Sequence, residues 1–403
     1  MKGNPMSFKL SLVSAALAFG LVSTNSQAIE VTDKARKIAQ STIIVDSHID
    51  VPYRIKKRWE DVTEATAKGD FDYPRAVEGG LNAPFMSIYI PATFEGPGKD
   101  FGVQMAHELI DSVEAIEARA PEKFAVAYST KDVEDHFKRG VISLPMGMEN
   151  GSPIAGSIDN LKMFYERGIR YITLAHSLSN HISDSSYDLR RQWKGLSDFG
   201  KELVVEMNKI GMMVDISHVS DAAFYQTLEI TKAPVIASHS SLRRFTPGFE
   251  RNMDDDMIKA LGKNGGVIMI NFGSSFVSKE TREWQSKLSK LMEEAGTKWG
   301  EPKAEEIAKK YREENPYPYA SLEMVLDHID HVKALVGIDH IGIGSDYDGV
   351  GDSLPRDLKD VSYFPHFVQG LLNRGYTEAE IKKILSGNFM RVWKQVEELA
   401  TKM

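Results

Sequence analysis

Eight short apolar runs, most of them rich in β-branched residues, recur along this chain with amphipathic segments between them. They read "TIIVDSH", "NAPFMSIYI", "GVISLPMGME", "IRYITLAH", "GMMVDISH", "APVIASH", "GGVIMINF" and "HIGIGSD". Near-continuous apolar runs of this length suit strands buried on both faces, the condition of a parallel sheet. The intervening stretches, among them Phe101–Arg119, Leu161–Arg167, Gly200–Ile210 and Met257–Lys263, carry apolar residues at helical spacing. Eightfold strand–helix alternation predicts an α/β fold: a TIM-like closed (β/α)8 barrel rather than an open sheet. Ser129 stands three residues before Asp132 and Thr377 three before Glu380, both capping-box spacings. One segment breaks the alternation. The highly charged stretch Lys279–Arg312, between the seventh and eighth strands, is expected to be a helical insertion on a βα loop. A lid, a subunit contact and a solvated helical hairpin are all compatible with its composition.

Residues 1–28 have the layout of a secretory signal peptide. Lys2 and Lys9 precede an apolar run from Leu10 to about Val22, and Ser26-Gln27-Ala28 offers small residues for cleavage. The run is shorter than the roughly 20 apolar residues of a membrane span. The expectation is a periplasmic or secreted protein with no stable membrane anchor and a single barrel domain over residues 29–403. Cleavage would remove two lysines and no acid, which moves the formal charge from -8 to -10. An acidic chain without a basic run argues against nucleic acid or anionic membrane as partner. With no cysteine in the chain, disulfides, thiolate ligands and a Cys nucleophile are excluded. Any metal site has to use His and carboxylates.

In a barrel of this kind the active site lies at the strands' carboxyl ends. His48 and Asp50 fall at the end of the first strand, Glu149 of the third, His176 of the fourth, His218 of the fifth, His239 of the sixth and Asp346 of the eighth. Alternation puts Asp46, His48 and Asp50 on one face, with Asp46 deeper and suited to a structural role. Imidazoles with carboxylates suit Zn²⁺, with Mn²⁺, Co²⁺ or Fe²⁺ as other occupants. The set is richer than one open catalytic zinc requires. Two ions about 3.5–4 Å apart, bridged by a carboxylate and a hydroxide, would use it fully. Glu149 is the natural bridge, His48 and Asp50 complete one ion, and His218 and His239 the other. Asp346 is then the carboxylate available to move protons. The remaining histidines at 107, 136, 328, 331, 340 and 366 lie in helical or loop contexts and read as structural.

The stretches "DSHIDVP", "GMENG", "YITLAHSLSN", "VDISHVS", "APVIASHSS", "RNMDDDMIKAL", "GIGSDYDGV" and "GNFMRVW" occur in the order found in the membrane (renal) dipeptidases, peptidase family M19 of the amidohydrolase superfamily. The chain resembles that family from about Ile43 to Trp393. The resemblance implies a zinc-dependent dipeptidase with two Zn²⁺ per chain. His48, Asp50, Glu149, His218 and His239 stand at its ligand positions, and Asp346 at its catalytic acid/base. His176 matches the histidine that polarises the scissile carbonyl. Arg251 matches the arginine that grips the substrate's carboxylate. Family habit adds a homodimer, tolerance of D-residues on the carboxyl side and hydrolysis of some β-lactams. Val51 and Asn150 stand where the family often has Leu and Gly, and the loop "SNHISDSSYDLRRQWKG" departs from the mammalian members where substrate enters. His181 in that loop reads as a solvated residue or an extra substrate contact. Two other readings compete. One is a binuclear amidohydrolase acting on lactones, phosphotriesters or N-acyl amino acids, which usually needs a carboxylated Lys absent from "GIRYITLAH". The other is a metal- or peptide-binding homologue without turnover, although every expected position is filled.

Overall fold

In the computed structural model, which describes Met1, residues 29–96 and residues 98–402, the eight apolar runs supply eight parallel strands that close into a barrel. The expected signal peptide lies outside the described residues. In chain order the strands are β1 (Val45–Ile49), β2 (Ala83–Tyr89), β3 (Phe124–Val126), β4 (Ile142–Leu144), β5 (Met146–Glu149), β6 (Ile169–Thr173), β7 (Met213–Asp215), β8 (Ile236–Ser240), β9 (Val267–Ile270) and β10 (Ile341–Ile343). Around the barrel the order is β1-β10-β9-β8-β7-β6-β5-β2, closing on β1. The α/β barrel expected from the alternation is therefore present. Helices Val103–Arg119, Ile158–Glu166, Asp198–Ile210 and Asp255–Asn264 occupy the expected amphipathic stretches.

One run behaves differently. "GVISLPMGME" reads as a single strand but divides at Pro145, whose missing N–H interrupts the ladder. β4 leaves the barrel to pair with β3 in a small parallel sheet, while β5 continues between β2 and β6. The two capping boxes also differ. Thr377 and Glu380 form the reciprocal pair. Ser129 caps the Asp132 N–H, but the Asp132 carboxylate accepts from Tyr128 N instead of closing the box.

The base of the barrel is plugged by the last helix, Asn388–Ala400, whose Phe389, Val392, Trp393 and Val396 join Val45, Ala83, Met213, Ile236 and Val267 from the strand starts. Phe85 holds the junction edge-on to Phe389 and Trp393, with ring centroids 5.0 and 5.2 Å away. Burying each such side chain contributes roughly 1.5–3 kcal/mol. Higher in the barrel, the Tyr171 ring crosses directly over Gly147. A Cβ there would fall 2.0 Å from the ring, so the glycine is a packing requirement.

Between β9 and β10 the chain forms the expected helical insertion, with helices Lys279–Glu294 and Pro302–Glu314. It has a small core of its own: Trp284, Leu288, Met292, Ala304 and Tyr317. Tyr319 and Arg312 fasten it to Asp352 in the loop after β10. Its root is held by His328, on helix Leu322–Val336. The His328 Nδ1 accepts the Leu242 N–H at 3.1 Å, and the Nε2–H donates to the Val277 carbonyl at 3.2 Å.

The bond from Leu242 needs a neutral ring, and burial pushes the His328 pKa from 6.5 down to about 3. Between those values the unfolded chain binds the extra proton, so stability falls as pH drops through that window. After chelator treatment, the native protein should therefore lose more of its melting temperature between about pH 6.5 and 4.5 than His328→Gln does. Equal slopes would assign the acid sensitivity to other groups.

Candidate metal centre and substrate cavity

The carboxyl ends of the strands bring the distant polar residues to one mouth. Ladder register aligns Tyr89 with Glu149, Glu149 with Thr173, and Thr173 with Asp215, so these strand ends share a level. At the centre is Glu149. Its Oε1 lies 3.1 Å from His218 Nε2, 3.2 Å from His239 Nε2 and 3.5 Å from His176 Nε2. Its Oε2 lies 3.5 Å from His48 Nε2, which is 3.4 Å from Asp50 Oδ2. Donor atoms of His48, Asp50 and Asp346 form a further compact triad.

Hydrogen bonds behind the cluster decide which nitrogens face it. Tyr171 donates its hydroxyl proton to the Ser47 carbonyl at 2.9 Å, so its oxygen accepts from His48 Nδ1 at 3.0 Å. Ser238 Oγ likewise donates to Asp215 Oδ2 at 2.6 Å and accepts from His239 Nδ1 at 2.8 Å. Both rings then turn an Nε2 lone pair inward, as metal-ligating imidazoles require. Asp215 is itself held by the Ser217 and Ser238 amides and the Thr173 hydroxyl. Asp46 plays the structural part expected of it, accepting from the His48 and Ser345 amides.

The electrostatics suit cations. Burial opposes ionisation of Glu149, but His48 and His176 with the His218 and His239 bonds hold its carboxyl well below the usual range. Burial pushes His218 and His239 well below the ordinary imidazole value, leaving both neutral. Their Nε2 atoms nevertheless face each other at 2.8 Å. Two inward lone pairs at that separation repel unless a proton or a cation lies between or beside them. His48 is pulled upward: burial opposes its protonation, and Tyr171, Glu149 and Asp50 outweigh it. The cluster attracts positive charge. The buried Asp50 Oδ1, His48 Nε2 and His218 Nδ1 also lack hydrogen-bond partners. These donors fit divalent transition metals, with imidazole and carboxylate as the only ligand types.

Asp346 sits beside the cluster, accepting from Asn271 Nδ2 at 2.7 Å. Burial, with the nearby Asp50 and Glu149 charges and against His48, pushes its carboxyl up to about 8. His218 and Asp346 both have left-handed backbone, φ 69° and 64°, a strained choice for non-glycine residues that aims them inward. Gly349 closes over the acids. A Cβ there would lie 2.2 Å from both Asp346 Oδ1 and Asp50 Oδ2. Above, a cavity of about 790 Å³ opens, lined among others by Tyr89, His176, Tyr187, Phe249, Phe276 and Arg282.

Arg251 is placed deeper than a rim residue. Its Nη1 donates to Ser240 Oγ and its Nη2 to the His239 carbonyl, at 2.7 and 2.6 Å, while Nε has no partner. His181 is half-buried and does not line the cavity. It packs against Phe101 and Phe199, and its Nε2 accepts the Gly156 amide. Tyr171, Asp215, Asn271 and Gly349 were not anticipated. A signal existed for two of them: "VDISH" repeats the Asp-before-His arrangement of "VDSH", and Asn271 is a polar residue ending the apolar run "VIMI".

The family described as membrane dipeptidase (peptidase family M19) matches the chain over residues 32–403. The chain belongs to that family. Dipeptidase 3 of Mus musculus is 31% identical over 379 residues, which are 92% of this chain and 68% of the relative. The crystal structure of the probable dipeptidase PvdM from Pseudomonas aeruginosa is 26% identical, with a TM-score of 0.79 over 91% of this chain and 98% of that one. A metallo peptidase from Rhodobacter sphaeroides, liganded with a phosphinate mimic of L-Ala-D-Ala, has a TM-score of 0.73 over 88% of this chain and 99% of its own. At 23% identity that likeness is one of fold. The kinship expected from the ordered motifs thus spans nearly the whole chain. Among the described residues no helix is long and apolar enough to cross a membrane.

The crowding at Gly349 leads to a metal-retention prediction. Gly349→Ala should fold with a chelated melting temperature near the native one, yet hold metal about 10- to 100-fold more weakly, because the methyl displaces two carboxylates. Metal analysis after dialysis against a buffered chelator measures this, and native-like retention would remove Asp50 from the metal site.

Proposed function

We propose that this M19 member is a metallo-dipeptidase that holds two divalent cations, zinc by preference. His48 and Asp50 would hold one, His218 and His239 the other, and Glu149 would be shared. The observation that carries the reading is the buried Glu149 carboxylate, with the Nε2 atoms of four imidazoles within 3.1–3.5 Å of its two oxygens. When bound, the cations supply Lewis acidity, which makes water nucleophilic near neutral pH and polarises a carbonyl.

The chain's own residues carry the rest. Water adds to the peptide carbonyl and the C–N bond breaks. Asp346 takes the proton from the water and delivers it to the departing amine, a role suited to a carboxyl whose affinity for protons is raised by burial. His176, neutral through burial and packed against Tyr89 and His218, donates to the carbonyl oxygen as negative charge develops there. Arg251 offers its unpartnered Nε and remaining guanidinium protons to the substrate's carboxylate. A dipeptide has charged ends close together, so fixing the carboxylate fixes the scissile bond. D-residues on the carboxyl side fall within this reading, since the grip acts on the carboxylate rather than the side chain. The lead segment at residues 1–28 would direct the chain to the periplasm or outside the cell.

The full-length protein should contain two metal ions and cleave simple dipeptides, lose that activity on chelation and regain it with Zn²⁺ or Mn²⁺. Asp346→Asn should keep both metals and lower turnover by roughly 10²–10⁴. Native turnover in that variant would reassign the proton shuttle, and no dipeptide cleavage by the metal-loaded native protein would refute the dipeptidase reading. Arg251→Ala should raise KM and become indifferent to amidation of the substrate's carboxyl end. A retained preference for the free carboxylate would pass the grip to another cation.

A further inference from the structure

The insertion does more than decorate the barrel. Its first helix, Lys279–Glu294, brings Arg282 and Gln285 into the wall of the main cavity, beside residues of the candidate metal centre. The Arg282 guanidinium lies over the Phe249 ring, 3.8 Å from its centroid. Phe249 in turn meets Phe276 at 5.7 Å, and Phe276 carries Arg251 at 5.4 Å. Arg251, Phe276, Phe249 and Arg282 thus follow one another in contact, the last three lining the cavity and Arg251 buried beside them, on the side where the substrate's carboxyl end is proposed to lie. Tyr187 stands against Phe249 and His218 and faces both guanidiniums.

Arg282, like Arg58 and Arg251 and unlike Arg54, has no acid partner among the described residues. Arg54 pairs with Asp348 at 3.1 Å, and Arg243 with Asp221 at 2.6 Å. Among the described residues no carboxylate lies within ion-pairing distance of Arg282. The ionisable groups that face it are the Tyr187 and Tyr317 phenols, and burial makes its charge less favourable. A half-buried, unpaired guanidinium costs stability unless a ligand repays it. A guanidinium held over a ring face keeps its N–H edge available to another partner. That edge matches a second planar anion in bidentate fashion.

We propose that Arg282 is a specificity-determining residue that receives a second carboxylate on the substrate, the acidic side chain of the carboxyl-terminal residue, so that dipeptides ending in Asp or Glu are preferred. This rests on the dipeptidase reading, because that reading sets which end of the peptide faces this wall. A cavity of about 790 Å³ leaves room for such a side chain beside the peptide backbone.

Glutamate and glutamine differ in charge but hardly in shape, so they isolate the effect. With the metal-loaded full chain, kcat/KM for Ala-Glu should exceed that for Ala-Gln by roughly 10- to 100-fold, with L- and D-forms of the second residue both tested. In Arg282→Gln the ratio should collapse towards one, Arg282→Lys should fall between, and Arg282→Glu should favour Ala-Lys over Ala-Glu. Equilibrium titration of metal-depleted protein with Ala-Glu and Ala-Gln should show the same loss of discrimination in Arg282→Gln, and this readout stands without any turnover. Discrimination that is unchanged in Arg282→Gln by both measurements, or absent from the native protein, would overturn the proposal. Cleavage of Ala-Gln with no charge discrimination would refute Arg282 alone, whereas failure to cleave any dipeptide would refute the dipeptidase reading and leave the titration to decide on Arg282.

Discussion

A carboxylate deep inside a barrel mouth, ringed by imidazole nitrogens, is an electrostatic problem that the rest of the molecule is arranged around. Glu149 has left bulk water, which is tolerable for an ionised acid only if positive charge or several donors compensate it. The neutral His218 and His239 compensate it incompletely, and His48, whose Nδ1 is engaged behind it, does so only by taking up a proton or a cation at Nε2. The centre is therefore stable only in company with positive charge. The same imbalance that burdens folding supplies the affinity for a divalent ion.

Support for that centre is layered beneath it. Phe85, Phe389 and Trp393 seal the base with edge-on rings, while the imidazoles and carboxylates gather at the opposite end. Gly147 surrenders its side-chain volume to Tyr171, and Tyr171 converts that space into a hydrogen bond that orients His48. Asp215 does equivalent work for His239 through Ser238. In both cases a residue that touches no substrate determines which ring nitrogen a ligand would meet.

Much of this architecture could be read from the chain before any coordinates. Fully buried parallel strands have a plain signature, near-continuous apolar runs, most of them rich in β-branched residues, and all eight barrel strands came from such runs. Strand ends are also legible, because His48, Glu149, His176, His218 and His239 interrupt apolar stretches where nothing in packing calls for them. The split at Pro145 was missed because both halves are equally apolar, and only the partner strand, β3, distinguishes them. Tyr171 and Gly349 were opaque for a related reason. Their roles depend on distances to residues far along the chain, and a tyrosine in a strand or a glycine in a turn has an ordinary local explanation. Arg282 lay hidden among the many charges of the insertion, and only its position over Phe249 separates it from a solvated helix face.

The insertion rides outside the repeating strand–helix unit, with its own small cluster around Trp284 and its own fastening to Asp352. Mutations there can accumulate without disturbing barrel closure or any candidate ligand. If Arg282 selects the carboxyl-terminal side chain as proposed, that selection and the bond-breaking residues lie on separate stretches of chain, free to diverge at different speeds. A lineage could inherit the reactive floor intact and retailor the ceiling, which would let closely similar barrels serve different diets.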